Sequence, residues 1–147
     1  MQTITANNYS VYFDSKGYET LAEMLKPSHY SKIFILVDEN TSQYCLPHLL
    51  NHLATEIEIE IIELEVGEIH KNIATCTEVW GALSELGGDR KSILINLGGG
   101  VISDLGGFVA CTFKRGIDFI NIPTTLLSMV DASIGGKNGV DLGNLKN

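Results

Sequence analysis

Short apolar runs alternate along the chain with segments whose apolar residues recur every three or four positions. Lys32–Val37 (KIFILV) and Ser92–Leu97 are largely unbroken apolar runs, which are typical of strands buried on both faces. Glu56–Glu65 alternates between acidic and apolar residues and predicts a strand with one wet face, near the edge of a sheet. Two shorter strands are predicted at Tyr9–Phe13 and Phe119–Ile122.

In the segments between these strands, apolar residues recur at the spacing of a helix. The predicted helices are Gly17–Leu25, Thr41–Leu53, Lys71–Leu86, Val101–Thr112 and Thr124–Ile134. Strands that alternate with helices predict an α/β fold, with a Rossmann-like parallel sheet covered by helices on both faces.

Composition narrows the class of protein. The 147 residues suffice for one domain with its own core, and 44% hydrophobic with 19% charged residues is typical of a globular protein. A formal net charge of −8 argues against nucleic acid and anionic membranes as general partners. We expect a cytoplasmic protein, because neither a secretory signal nor an apolar run of membrane-spanning length is visible. Cys45, Cys76 and Cys111 show no paired spacing and are predicted to be buried free thiols.

A glycine triplet, Gly98–Gly100, follows a predicted strand and opens a predicted helix. A helix N-terminus presents unpaired N–H groups and the positive end of the helix dipole, and glycine lets a ligand approach the backbone closely. The pattern indicates an anion site suited to a dinucleotide pyrophosphate, although the G-x-G-x-x-G fingerprint is absent. A tight connection without a ligand is the alternative. Asp104, one turn into the helix, either stabilises the helix dipole or binds a ribose hydroxyl or carboxamide.

Other polar side chains follow strands at the same predicted sheet edge, where α/β proteins bind ligands. Asp38 either binds ribose hydroxyls or caps a helix. Thr124 and Thr125, which follow a proline, are also good helix caps. Lys137 and Lys146 lie in glycine-rich loops beside the anion site and suggest contacts with phosphate or carboxylate.

His48 and His52 are four residues apart on a predicted helix, a spacing that can bind a metal ion. Two ligands alone do not make a zinc site, and this helix is far in sequence from the glycine triplet. We therefore assign no metal ligand within this chain.

A succession of motifs occupies the C-terminal third. They are Gly98–Gly100, Asp104, Gly107–Phe108, Arg115–Gly116, Pro123–Leu127, Asp131, Ser133, Gly135–Lys137 and Lys146–Asn147. In this order and spacing they resemble the 3-dehydroquinate synthase family, and Gly67–Lys71 and Val37–Asp38 resemble two upstream motifs of that family. The resemblance covers essentially the whole chain and implies that residues 1–147 are an NAD-binding N-terminal α/β domain. Asn138 stands where the family commonly has threonine.

The resemblance also implies the functional residues. NAD would be bound by Asp38, Glu68, Lys71, Gly99, Gly100, Val101, Asp104, Thr124, Thr125, Leu127 and Lys146. The substrate, a sugar acid phosphate, would be contacted by Asp131, Lys137 and Asn147, and Arg115 would reach the neighbouring subunit of a homodimer.

The reaction implied by the resemblance belongs to the shikimate pathway. It converts 3-deoxy-D-arabino-heptulosonate 7-phosphate into 3-dehydroquinate and phosphate without net redox change. The family also binds zinc or cobalt through a glutamate and two histidines of a second, mostly helical domain. That domain is absent from this chain, so we expect the chain alone to be inactive.

Three alternatives compete with this interpretation. Another sugar-phosphate cyclase, such as an inosose synthase, would share the NAD-binding half. A glycerol-dehydrogenase-like oxidoreductase fits less well, because that family lacks the motif Ser133–Lys137. A stand-alone nucleotide-binding module would have no need of the substrate-side residues, which are Arg115, Asp131, Lys137 and Asn147.

Overall fold

A parallel sheet lies at the centre of the computed structural model, which describes residues 3–6 and 8–147. Two short strands, β1 (Ile4–Thr5) and β2 (Ser10–Val11), precede it and pair antiparallel outside the main sheet. The main strands lie in the order β4-β3-β5-β6, and they are β3 (Ile33–Asp38), β4 (Ile59–Leu64), β5 (Ile93–Gly98) and β6 (Asp118–Pro123). The parallel sheet and the edge position of β4 are confirmed. The strand predicted over Tyr9–Phe13 is reduced to Ser10 and Val11.

Helices connect the strands, and they are α1 (Asp14–Met24), α2 (Glu39–Tyr44), α3 (Leu46–His52), α4 (Ile73–Glu85) and α5 (Gly100–Thr112). The single helix predicted over Thr41–Leu53 is wrong, because two helices meet at Cys45. Pro47, at the start of α3, has no N–H with which to continue the hydrogen-bond ladder of α2. The helix predicted over Thr124–Ile134 is largely a five-residue π-helix, Ser128–Ala132.

Both faces of the sheet are covered by helices, as predicted. Along β3, Phe34 and Leu36 pack with α4 and α5, whereas Ile33, Ile35 and Val37 pack with α1 and α3. This division follows from the two-residue period of a strand. All five side chains are 0% exposed, which explains why the sequence of β3 shows no polar alternation.

The carboxyl ends of the parallel strands lie at one edge of the sheet. Asp38 at the end of β3 is in register with Leu64 of β4, and Gly98 at the end of β5 is in register with Pro123 of β6. The loops that carry the predicted site residues leave from this edge, where open α/β sheets bind their ligands.

The cysteines are free, but their burial differs from the prediction. Cys76 is buried, Cys45 is partly buried and Cys111, near the end of α5, is exposed. Burial raises the pKa of the Cys76 thiol to about 11. In the described part of the chain, no helix is both long and apolar enough to cross a membrane.

Candidate functional site

The glycine triplet forms the turn between β5 and α5, and its members have different roles. A Cβ at Gly98 would lie 2.6 Å from Cβ of Ile102, so this glycine is required for packing. Gly99 is the N-cap of α5 and provides no side-chain cap. At Gly100 an added Cβ would be in ordinary van der Waals contact with Cβ of Ala132, 3.8 Å away, so packing does not require a glycine there. The first-turn N–H groups of α5 have no intrahelical acceptor and can donate to an anion.

A cleft of about 350 Å³ opens over this turn. Its walls include six of the predicted cofactor-binding residues, which are Asp38, Gly99, Gly100, Val101, Thr124 and Thr125. Thr124 is held beside the glycine turn, because its N–H donates to the carbonyl oxygen of Gly98 at 3.0 Å. Residues at the carboxyl ends of three different strands therefore meet at one cleft, which has a volume typical of small-molecule sites.

Asp38 caps a helix, which is one of the two roles that the sequence predicts for it. Its Oδ1 accepts hydrogen bonds from N and Oγ1 of Thr41 at 2.8 and 3.0 Å, and its own N–H donates to Thr41 Oγ1 at 3.0 Å. These reciprocal bonds form a capping box at the start of α2. Both bonds to the carboxylate use Oδ1, and Asp38 also lines the cleft. The cap therefore leaves Oδ2 as the oxygen with which Asp38 can contact a ligand.

A largely buried ion pair joins two further predicted residues beside the cleft. Lys71 is 5% exposed, and its Nζ donates to Oδ2 of Asp104 at 2.8 Å. Oε1 of Glu68 lies 3.7 Å from the same Nζ. Glu68 belongs to the 3₁₀ turn Glu68–His70, so the ion pair fastens this turn to the first turns of α5.

A second cluster of charges adjoins the first through Glu68. Lys146 Nζ donates to Oδ2 of Asp141 at 2.6 Å and lies 3.5 Å from Oε1 of Glu68. Oδ1 of Asp141 accepts the N–H of Asn147 at 3.1 Å, and the Asp141 N–H donates to the carbonyl oxygen of Lys71 at 2.8 Å. The hydrogen bond from Lys146 lowers the pKa of Asp141, and the same bond raises the pKa of Lys146.

Asp141 was not predicted from the sequence. It fastens Lys146 and Asn147, two predicted ligand residues, to the segment that carries Lys71. Since this link joins positions about 70 residues apart, no local pattern reveals it.

The predicted substrate-side residues do not line the cleft and lie on segments that follow α5 and β6. Asp131 lies in the π-helix, which is anchored to α5 by a 3.1 Å hydrogen bond between the buried hydroxyls of Ser103 and Ser128. Lys137 is exposed in the following glycine-rich loop. Arg115 lies beyond the C-terminal end of α5, about 20 Å along the helix from the glycine turn, so this chain does not bring it to its own cleft.

The remaining predicted ligand and the paired histidines are not among the residues that line the cleft. Leu127 is 68% exposed at the start of the π-helix. The rings of His48 and His52 are 4.4 Å apart, and Tyr18 stacks on His52 at 4.5 Å. In residues 3–6 and 8–147, no group of three or more His, Cys, Asp or Glu side chains is arranged to hold a metal ion.

Comparison with known proteins identifies the family to which the sequence is similar. Residues 61–147 match the family model for the N-terminal part of 3-dehydroquinate synthase. The chain is 46% identical over 127 residues to the 3-dehydroquinate synthase of Parabacteroides distasonis, a match that covers 86% of this chain and 36% of that protein. The chain thus spans little more than a third of that relative's length.

Solved structures share the fold. The 2-epi-5-epi-valiolone synthase of Streptomyces hygroscopicus, solved with NAD⁺ and Zn²⁺ bound, has a TM-score of 0.74 and 28% identity, with 97% of this chain and 39% of that chain covered. A 2-deoxy-scyllo-inosose synthase, solved with carbaglucose-6-phosphate, NAD⁺ and Co²⁺, has a TM-score of 0.84 at 22% identity, with 99% and 41% covered.

Proposed function

The chain belongs to the 3-dehydroquinate synthase family, and on that premise we propose that it is the NAD-binding N-terminal domain of such an enzyme. The enzyme would convert 3-deoxy-D-arabino-heptulosonate 7-phosphate into 3-dehydroquinate and phosphate. The observation that carries the proposal is the cleft over the glycine turn, where six residues expected to bind NAD meet.

Packing does not require a glycine at position 100, because an added Cβ would meet Cβ of Ala132 only at an ordinary contact distance of 3.8 Å. The missing side chain would instead let a dinucleotide approach the backbone of the cleft. The N–H groups of Gly100 and Val101, at the positive end of α5, would bind the pyrophosphate. Oδ2 of Asp38, which the capping box leaves available, would accept a ribose hydroxyl. Thr124 and Thr125 also line the cleft, and their hydroxyl groups would add polar contacts.

The two lysines would act as oriented donors rather than as free positive charges. Lys71 is paired with Asp104, and Lys146 is paired with Asp141, so each positive charge is already compensated. A neutral carboxamide or hydroxyl group can accept from such a paired ammonium without disturbing the charge balance. The pyrophosphate charge would then be met mainly by the amides of α5.

Asp131, Lys137 and Asn147 would contact the sugar acid phosphate beside the bound cofactor. When bound, NAD would accept a hydride from the substrate and later return it, which allows loss of phosphate without net oxidation. We further propose a homodimer in which Arg115 reaches the neighbouring subunit, a cytoplasmic location, and a zinc or cobalt ion held by residues outside this chain.

Calorimetric titration of the 147-residue chain with NAD tests the proposal. We expect saturable binding by the wild type and a loss of at least about tenfold in affinity for Gly100→Ala, because the added methyl group fills the place where the pyrophosphate approaches. This substitution meets no protein atom closer than 3.8 Å, so the fold is expected to persist.

Gly81→Ala is the matched control for this titration. It makes the same substitution within α4, where an added Cβ meets nothing within 4 Å. We expect unchanged NAD affinity and slightly higher stability, because alanine is the better helix former. A folded wild type without saturable NAD binding, or a Gly100→Ala variant with wild-type affinity, would contradict the proposal.

A further inference from the structure

A polar side chain lies in the core between β5 and α5. Asn96 is 0% exposed and follows Leu94, which packs on the same face of the sheet. Its Nδ2 donates to Oδ1 of Asn121 on β6 at 2.9 Å, and Nδ2 of Asn121 donates to the carbonyl oxygen of Ser133 at 3.4 Å. The two amides thus connect the core to the loop that follows the π-helix.

The carbonyl oxygen of Ser133, the last acceptor in this series of hydrogen bonds, determines the orientation of both amides. A backbone carbonyl can only accept, so Asn121 must present its Nδ2 to Ser133 and its Oδ1 to Asn96. Asn96 must then present Nδ2 to Asn121, which turns its Oδ1 towards α5. Within the described residues, this Oδ1 has no hydrogen-bond partner.

Gly106 is the residue of α5 that faces this oxygen. A Cβ at Gly106 would overlap with Oδ1 of Asn96, closer than real Cβ atoms approach any neighbour, so only glycine leaves room for the asparagine. An unpaired buried oxygen and a glycine within a helix both reduce stability, and two alanines at these positions would avoid both costs. What Asn96 provides, and alanine cannot, is the hydrogen bond to Asn121.

The loop held in this way carries the substrate-side residues. Ser133 stands between Asp131 and Lys137, and the N–H groups of Ile134 and Gly135 both donate to the carbonyl oxygen of Asp131, at 3.1 and 3.0 Å. The hydroxyl of Tyr9 donates to the neighbouring carbonyl oxygen, that of Ile134. Two consecutive carbonyl groups are therefore fixed by side chains from elsewhere in the fold.

We infer that Asn96 is a positioning residue, which acts through Asn121 to hold the segment 131–137 against the sheet. The inference rests on the proposed function for the role of that segment in substrate binding. The way in which the segment is held can be tested without any ligand.

Asn121→Asp is the most selective test, because it keeps the shape of the side chain. Its carboxylate still accepts from Asn96, but an oxygen now faces the Ser133 carbonyl in place of the donor. We expect amide hydrogen exchange of Ser133, Ile134 and Gly135, followed by NMR, to be at least about fivefold faster, the factor expected for one lost hydrogen bond. The exposed substitution Asn51→Asp on α3 makes the same change of charge and is expected to leave these rates unchanged.

A second variant separates positioning from stability. Gly106→Ala alone should destabilise the chain, because its methyl group meets Asn96. The double variant Asn96→Ala/Gly106→Ala removes the conflict, and its thermal midpoint should return to the wild-type value or above. Exchange at Ser133–Gly135 should nevertheless remain several-fold faster than in the wild type, because Asn121 has lost its partner.

Wild-type exchange in Asn121→Asp, or in the stable double variant, would overturn the inference. Neither outcome bears on NAD, because exchange is measured without it. A failed NAD titration would conversely contradict the proposed function and leave the role of Asn96 standing.

Discussion

The ion pair between Lys71 and Asp104 offers the sharpest test of how the site is held together. Asp104→Asn replaces the carboxylate group by a neutral carboxamide of almost the same size. Lys71, which is 5% exposed, then keeps Glu68, at 3.7 Å, and the weaker, more distant attraction of Asp141. The substitution leaves an incompletely compensated charge where water has little access.

The expected magnitude follows from the geometry. At the observed 2.8 Å, two unit charges attract by about 6 kcal/mol at an effective dielectric constant of about 20. Desolvation of both groups offsets most of this attraction, and breaking a fully buried pair typically costs about 3–5 kcal/mol. The substituted amide would still accept a hydrogen bond and Glu68 remains nearby, so we expect a loss of about 2–3 kcal/mol in the free energy of unfolding.

Urea unfolding followed by the fluorescence of Trp80 measures this loss. Trp80 is the single tryptophan of the chain, and its Nε1 donates to the carbonyl oxygen of Val109 at 3.4 Å, so it reports packing between α4 and α5. A loss of about 2–3 kcal/mol should lower the urea midpoint by about 1 M.

Glu19→Gln serves as the control, because it breaks the exposed pair Lys16–Glu19, whose side chains are 54% and 64% exposed. This control should change stability by less than about 0.5 kcal/mol. An Asp104→Asn variant as stable as the control would refute the assignment of a stabilising role to the buried pair.

Three further predictions concern other parts of the molecule. Thr41→Ala removes one half of the capping box and should lower the free energy of unfolding by about 1 kcal/mol, so unchanged stability in urea unfolding would contradict the capping role. At mildly alkaline pH a thiol reagent should label the exposed Cys111 within minutes, and Cys76, with a pKa of about 11, only when the chain unfolds. In an NMR titration the carboxyl of Asp141 should titrate below the usual aspartate range and move towards it in Lys146→Ala. Because folding lowers this pKa, the contribution of Asp141 to stability is present at neutral pH and is lost as the pH falls through the lowered value. An acid-unfolding curve that Lys146→Ala leaves unchanged would contradict this contribution.

The sequence by itself determined the order of strands and helices, the parallel sheet and the glycine turn. These features depend on local periodicity, since the apolar run of β3 must be buried on both faces and the triplet Gly98–Gly100 must join a strand to a helix. The sequence did not reveal the helix boundary at Pro47, because a proline near the start of a helix and a proline that divides a helix give the same local pattern.

Only the tertiary structure decided which polar groups meet. Asp141 and Asn96 stand outside every local motif, yet one fastens two ligand residues to Lys71 and the other reaches Ser133 through Asn121. Such contacts join residues that are distant in the chain and depend on distances of a few tenths of an ångström. Periodicity encodes which side chains are buried, whereas the partner of a buried polar group is set by how the packed elements lie against one another.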